Sequence, residues 1–281
     1  MDWSCVGHER QKELIERLIA TGRLAHAYLL TGPGGVGKRM FADDVVRALI
    51  ATGYEPDAMV LTPDRDKDGV VHDIPIEAVR DMKHWVVFRP AGTYKTVVID
   101  DADRLGAEAA NTLLKVLEEP PTYAKFLLIT DRPGAVMPTI SSRCERMDFM
   151  PLEADRMKPI LARLKLDADD RELLAVVAAG RPGYAVNLVE AGKLPKVARH
   201  IASLEATLKG GVTERLLYAK KVADDEDAPD IAQWWLTWVH AHLAQRPALA
   251  PVARGLAQLI SILREPQFNR RLALEAFLLD I

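Results

Sequence analysis

The residues best suited to chemistry lie at positions 32–39 of the 281-residue chain, Gly-Pro-Gly-Gly-Val-Gly-Lys-Arg. This is the spacing of a phosphate-binding loop. Gly32, Gly34, Gly35 and Gly37 let successive backbone N–H groups face phosphate oxygens, and Lys38 reaches the terminal phosphates. The next position ordinarily carries Ser or Thr, whose hydroxyl coordinates Mg2+. Here it is Arg39, which donates hydrogen bonds but cannot ligate a cation. The loop has the scaffold for holding a nucleotide and lacks one part needed for metal-dependent hydrolysis.

An acidic element further along supplies the partner. Residues 96–99, Thr-Val-Val-Ile, read as a buried parallel strand that delivers Asp100, Asp101 and Asp103 to the C-terminal edge of a sheet, where open α/β sheets bind ligands. Asp100 is the candidate Mg2+ ligand, and Asp101 lies where a water-polarising carboxylate would be wanted. Taken alone, these acids serve equally well as the start of a helix, where the macrodipole favours them. The upstream loop shifts the balance toward a Walker B element.

The elements that must position these groups are legible around them. Leu14, Ile15, Leu18 and Ile19 recur at helical spacing over 11–19, and Thr21-Gly22 ends that helix. Residues 27–30, AYLL, form a short strand entering the glycine loop, and 38–51 has the period of a helix whose N-terminus faces the phosphates. Strand, loop and helix follow in the order that a phosphate loop requires.

Composition sets the outer bounds. With 49% hydrophobic and 27% charged residues, the chain has enough apolar surface for about two domains, or three small ones. A net charge of −3 gives no overall basic field for nucleic acid, which disfavours a free-standing DNA-binding module. Cys5 and Cys144 are the only cysteines, the first 15 residues hold no hydrophobic signal core, and no apolar run reaches membrane-spanning length. Reduced thiols and a cytoplasmic location away from membranes are expected.

Five stretches carry a specific resemblance: HAYLLTGPGGVGKR (26–39), VVIDDADRL (97–105), NTLLKVLEEPP (111–121), FLLIT (126–130) and PTISSRC (138–144). In this order and spacing the sequence resembles the clamp-loader branch of the AAA+ ATPases, most closely the delta-prime subunits of bacterial DNA polymerase III. The match spans most of the first 145 residues, and LLKVLEEPP together with SSRC is far more specific than either Walker element. The remainder matches mainly in helical character and length.

The resemblance implies a fold and a set of roles. The fold is an α/β AAA+ P-loop domain over 1–150, a parallel sheet with flanking helices. A small helical lid over 151–195 and an all-helical collar over 196–281 follow. Ser142-Arg143-Cys144 would carry an arginine finger, Arg143, which reaches the γ-phosphate of ATP held by a neighbouring subunit. Taken alone, Arg143 reads as an ordinary solvated or salt-bridged arginine. Thr130 matches the first sensor, a phosphate contact. Partners would be gamma/tau-like ATPase subunits and a delta-like subunit in a heteropentameric ring that loads the sliding clamp on primed DNA.

Three departures from the active members converge on one pocket. Arg39 removes the metal-binding hydroxyl, Asp101 is one methylene shorter than the glutamate of the DEAD-type element, and Gly183 stands where the second sensor has its arginine. Arg181 is near but offset. The implied role is a scaffolding subunit of the polymerase holoenzyme without intrinsic ATPase, its nucleotide binding weak or absent and independent of metal. The alternative is an active gamma/tau-like ATPase subunit.

Other patterns carry less. Asp64-Arg65-Asp66-Lys67-Asp68-Gly69 imitates the start of an EF-hand loop, but Pro75 occupies the twelfth position, so a hairpin turn after strand AMVL (58–61) is expected. The zinc-binding cysteines of family members are missing, no zinc is expected, and the seven histidines lack ligand spacing. Cys144 reads as a small buried hydrophobe, and residues 224–227 as a solvated acidic loop between helices. Residues 153–164 and 170–179 read as helices, with loop breaks beyond them near Gly210-Gly211, Pro229 and Pro247. Trp234, Trp235, Trp238 and His242 fall along one side of a helix, as core packing or an interface requires.

Overall fold

The computed structural model describes residues 1–50, 57–64, 66, 71–263, 265 and 267–281. Five strands, β1 (Ala27–Thr31), β2 (Ala58–Leu61), β3 (Lys95–Ile99), β4 (Ala124–Thr130) and β5 (Glu145–Asp148), form one sheet in the order β2-β3-β4-β1-β5. Every pairing is parallel. Since parallel neighbours require crossovers, helices lie on both faces.

The alternation of side chains sorts the core into two layers. Leu29, Val97, Ile99, Phe126 and Leu128 face one side, packing with Val79 and Met82 of α3 (Ile76–Val86) and Leu113 and Leu117 of α4 (Ala107–Glu118). Tyr28, Leu30, Val98, Leu127 and Ile129 face the other, against Ile15 of α1 (Glu9–Ala20) and Phe41, Val45 and Leu49 of α2 (Lys38–Leu49). β1, β3 and β4 are buried throughout, which is why they read as unbroken apolar runs. A short helix α5 (Pro138–Ser141) leads into β5.

The chain divides into two units, Met1–Arg156 and Met157–Ile281. The second is helical: α7 (Ala168–Ala178), α8 (Pro182–Glu190), α9 (Leu194–Lys209), α10 (Val212–Ala223), α11 (Ala228–His242), α12 (Ala250–Leu263) and α13 (Arg270–Asp280), preceded by α6 (Ala154–Ala162) at the boundary. Trp234 and Trp235 of α11 are fully buried, and each indole N–H has an acceptor: Trp234 donates to the Tyr184 hydroxyl at 2.7 Å and Trp235 to the His200 carbonyl at 3.0 Å. These two tryptophans therefore belong to the core of this unit.

Some expectations change. The break expected near Pro229 falls at 224–227, and Pro229 itself sits in the first turn of α11, where its missing N–H costs nothing. The acidic run is not simply solvated: Asp225 and Asp227 accept from Lys196, and Asp227 also from Lys193, at 2.6 to 2.8 Å. Burial pushes both carboxyls up, but the lysine hydrogen bonds outweigh it and hold them below the usual range. The turn expected at 64–69 lies largely outside the described residues.

Candidate nucleotide site

The sheet order brings three chain segments to one edge. β4 lies between β1 and β3, so the glycine loop after β1, Asp100 after β3 and Thr130 at the end of β4 are carried by neighbouring strands, with Thr31 and Thr130 in register. This is the C-terminal edge, where the sequence had put the site.

The loop's backbone explains its glycines. Gly32 has φ 137°, and a Cβ there would run into the Phe149 carbonyl. Gly37 has φ 110° and serves as N-cap of α2, its carbonyl accepting from Phe41 N–H at 2.9 Å. From the first turn of α2, Lys38 turns back, and its Nζ donates to the Gly32 and Pro33 carbonyls at 2.5 and 2.8 Å. Burial pushes the Lys38 pKa down, against the opposing pull of Asp131, Asp100, Asp101 and Asp103.

Arg39 points into the acidic edge. Its Nε donates to Asp43 Oδ1 at 2.9 Å and its Nη1 to Asp100 Oδ2 at 3.0 Å. Asp100 Oδ1 accepts from the Asp101 backbone N–H at 3.2 Å, so both oxygens of the candidate metal ligand already take a hydrogen bond. Asp101 sits in the left-handed region, φ 50° and ψ 53°. Burial, and then the charges of Asp100, Asp103 and Asp131, raise its pKa. Thr130 is fully buried: its hydroxyl donates to Asp103 Oδ1 at 2.5 Å and accepts from Arg132 N–H at 2.9 Å, while the Arg132 guanidinium also pairs with Asp103.

A Mg2+ ion does not fit this arrangement. The position that should offer a hydroxyl offers a guanidinium. Of the two threonines that end β1 and β4, Thr31 donates to Asp148 and Thr130 to Asp103. Among the described residues, no group of three or more His, Cys, Asp or Glu side chains could hold a metal ion.

The arginine of the Ser-Arg-Cys stretch stands in different surroundings. Arg143 follows α5, with 35% of its side chain exposed, and donates to Glu118 Oε1 at 2.7 Å and to the Thr139 carbonyl at 3.0 Å. Cys144 beside it packs against the core, and burial pushes its thiol up to about 12, so it stays protonated at neutral pH. In the helical unit, Arg181 caps the start of α8. It stacks over the Tyr184 ring at 4.2 Å and donates to the Ala178 and Val177 carbonyls at 2.9 and 3.2 Å, while Gly183 lies within α8.

The N-terminal segment contributes groups that sequence reasoning missed. The Ser4 and Cys5 backbone N–H groups both donate to Asp44 Oδ2 at 2.9 Å, and His8 Nε2 lies 2.9 Å from the Val36 carbonyl of the loop. Burial lowers the His8 pKa. The one available signal was Asp44, a carboxylate on the apolar face of α2 between Phe41 and Val45.

A parallel sheet with helices on both faces, a glycine loop opening α2 and an acid at the end of β3 define a P-loop protein of the AAA+ class. Residues 48–153 match the family model described as DNA polymerase III, delta subunit. The chain is 30% identical over 245 residues to the DNA polymerase III subunit tau of Bacillus subtilis, covering 78% of this chain and 44% of that protein. It is 28% identical over 279 residues to the DNA polymerase III subunit delta' of Pseudomonas aeruginosa, covering 90% of this chain and 82% of that protein. Among solved structures, a gamma subunit-related protein of Thermotoga maritima aligns with a TM-score of 0.50 and 22% identity over 97% of each chain, a likeness of fold. These matches support a clamp-loader AAA+ subunit. It spans less than half the length of the tau subunit and most of that of the delta' subunit.

Proposed function

We propose that this chain is a delta-prime-like subunit of a bacterial DNA polymerase III clamp loader. It scaffolds a heteropentameric ring with gamma/tau-like ATPases and a delta-like subunit, taking part in ATP-dependent loading of a sliding clamp onto primed DNA. It supplies Arg143 in trans to a neighbour's ATP and does not hydrolyse ATP itself. Residues 151–195 serve as the lid and 196–281 as the collar through which the ring is joined.

The observation that carries this reading is the Arg39 guanidinium on the Asp100 carboxylate, a cation of the protein's own on the residue that should hold the metal. The likeness to the delta' subunit over 82% of that protein's length supports the same assignment. A forked guanidinium stabilises charge on a phosphoryl group in flight, and such fingers contribute about 10³ to 10⁵ in rate. In the reconstituted complex, Arg143→Ala should leave assembly intact and slow turnover at the neighbouring site by about 10³. Unchanged DNA-stimulated ATP turnover and clamp loading would overturn the assignment.

The intact Lys38 and the 30% identity to the tau subunit favour a second reading, an active gamma/tau-like ATPase. Mg2+-dependent hydrolysis by the purified chain, abolished by Lys38→Ala, would establish it.

A further inference from the structure

In metal-dependent phosphate loops, the residue after the lysine and the acid ending the Walker B strand meet through a divalent cation. In this chain they meet directly. Arg39 Nη1 lies 3.0 Å from Asp100 Oδ2, and the same guanidinium is anchored through Nε to Asp43 Oδ1 at 2.9 Å, one turn further along α2. Asp43 thus fixes the direction of the fork, and the second Asp100 oxygen is taken by a backbone N–H.

We infer that Arg39 is a built-in replacement for the divalent metal, a fixed cation held on Asp100 by the Asp43 anchor, so that the pocket is complete without Mg2+ and excludes it. The inference rests on reading residues 32–39 as a nucleotide loop and goes beyond the loss of a ligand. A lost hydroxyl alone would leave Asp100 free to bind Mg2+ with water completing the shell, because Mg2+ ordinarily keeps several waters. With Arg39 paired to Asp100, that option is costly. A cation brought to its oxygens must displace a charge-assisted hydrogen bond and sit beside a permanent positive charge.

Any polyphosphate entering the loop does so as the free anion, with Arg39 supplying the positive charge that Mg2+ brings elsewhere. This replacement also makes the defect a local one, reversible by a single substitution.

The test is equilibrium binding of ATP to the purified full-length chain by titration calorimetry, in excess Mg2+ and in EDTA, with thermal unfolding recorded in both. For the wild type, Mg2+ should change neither ATP affinity nor the unfolding midpoint in the presence of ATP, whether binding is measurable or absent in both buffers. Arg39→Thr should gain Mg2+-dependent ATP binding of at least tenfold over EDTA, and Arg39→Thr with Asp100→Asn should lose that gain. Arg39→Lys, which keeps a fixed positive charge, should remain indifferent to Mg2+.

Tenfold tighter binding with Mg2+ in the wild type would overturn the inference, as would a folded Arg39→Thr that gains no Mg2+ dependence. Should Arg39→Thr not fold, Arg39→Gln removes the charge and keeps a shorter polar side chain, and the same gain or its absence decides. None of these measurements involves a neighbouring subunit or Arg143, so failure here is distinguishable from failure of the arginine-finger role.

Discussion

Arg39 and Arg143 are two arginines of one unit, and their exposure does not tell them apart, at 40% and 35% of the side chain. Their partners do. Arg39 bridges two carboxylates on different elements, Asp43 of α2 and Asp100 beyond β3. Among the described residues, Arg143 pairs with one carboxylate, Glu118 at the end of α4, itself 45% exposed, and donates to one carbonyl in its own turn. A single exposed ion pair is worth about 0–1 kcal/mol and is easily exchanged for a phosphate, whereas withdrawing Arg39 would unpair Asp43 and leave Asp100 beside Asp101 without its counter-charge. Availability of a guanidinium is thus decided by what else depends on it.

The loop is closed upon itself, whereas the Arg143 turn is open. The largest expected effect on the chain itself comes from the closed side. Gly32→Ala places a Cβ against the Phe149 carbonyl at a φ of 137° and should cost about 3 kcal/mol in urea unfolding. A cost under 1 kcal/mol would mean that the loop is slack, and the contrast between the two arginines would lose its basis.

Next comes Asp103→Ala. The side chain of Asp103 is 1% exposed and accepts from both Thr130 and Arg132, so its removal leaves a buried hydroxyl without its acceptor and should cost about 1–3 kcal/mol. Arg143→Ala, on the open side, should cost no more than about 0.5 kcal/mol. Equal losses in the two variants, measured in the same urea titration, would erase the distinction.

Asp101→Asn should stabilise. Asn tolerates the left-handed conformation and removes one charge from a crowded group of acids, so a gain of about 0.5–1 kcal/mol is expected at neutral pH. The pH dependence follows from the raised pKa. The folded state holds this proton more tightly than the unfolded chain does, so stability falls as pH rises from the ordinary aspartate value to the folded pKa, and the full cost is present above it. Below the ordinary aspartate value of about 4 the cost is absent. The advantage of the variant should therefore shrink as pH falls through the folded pKa and vanish below about 4. An advantage that grew on acidification would contradict the burial and carboxylate repulsion assigned to Asp101.

Much of this was legible in the sequence because it is local. A fully buried strand shows as an apolar run, so β1, β3 and β4 stood out, and the glycine spacing announced the loop. β5 gave no such signal, since Glu145, Arg146 and Asp148 leave Met147 as its one buried residue. What escaped were pairings between distant positions. Arg39 and Asp100 are 61 residues apart, Ser4 and Asp44 are 40 apart, and Lys196 and Asp227 are 31 apart. Periodicity ranks each residue by its own face of its own element. It does not say which charges the fold will bring together, so Arg39 read as a missing ligand before it could be seen as a cation in place.

The smallest effect is the most discriminating. Glu118→Gln keeps the length of the side chain and a hydrogen-bond acceptor while removing the charge opposite Arg143. Because both side chains are well exposed, unfolding free energy should move by less than about 0.5 kcal/mol. If Glu118 only rests against the guanidinium, the neighbour's ATP turnover in the reconstituted complex should change by no more than about twofold, since in the proposed finger role a γ-phosphate would compete through a stronger, bidentate contact. A loss of about 2 kcal/mol of stability would instead make Arg143 a structural residue held from within its own chain. A tenfold fall in turnover with stability unchanged would make Glu118 a positioning residue that aims the guanidinium. Restoration of turnover by Glu118→Asp, which keeps the charge on a shorter arm, would separate aiming from simple neutralisation.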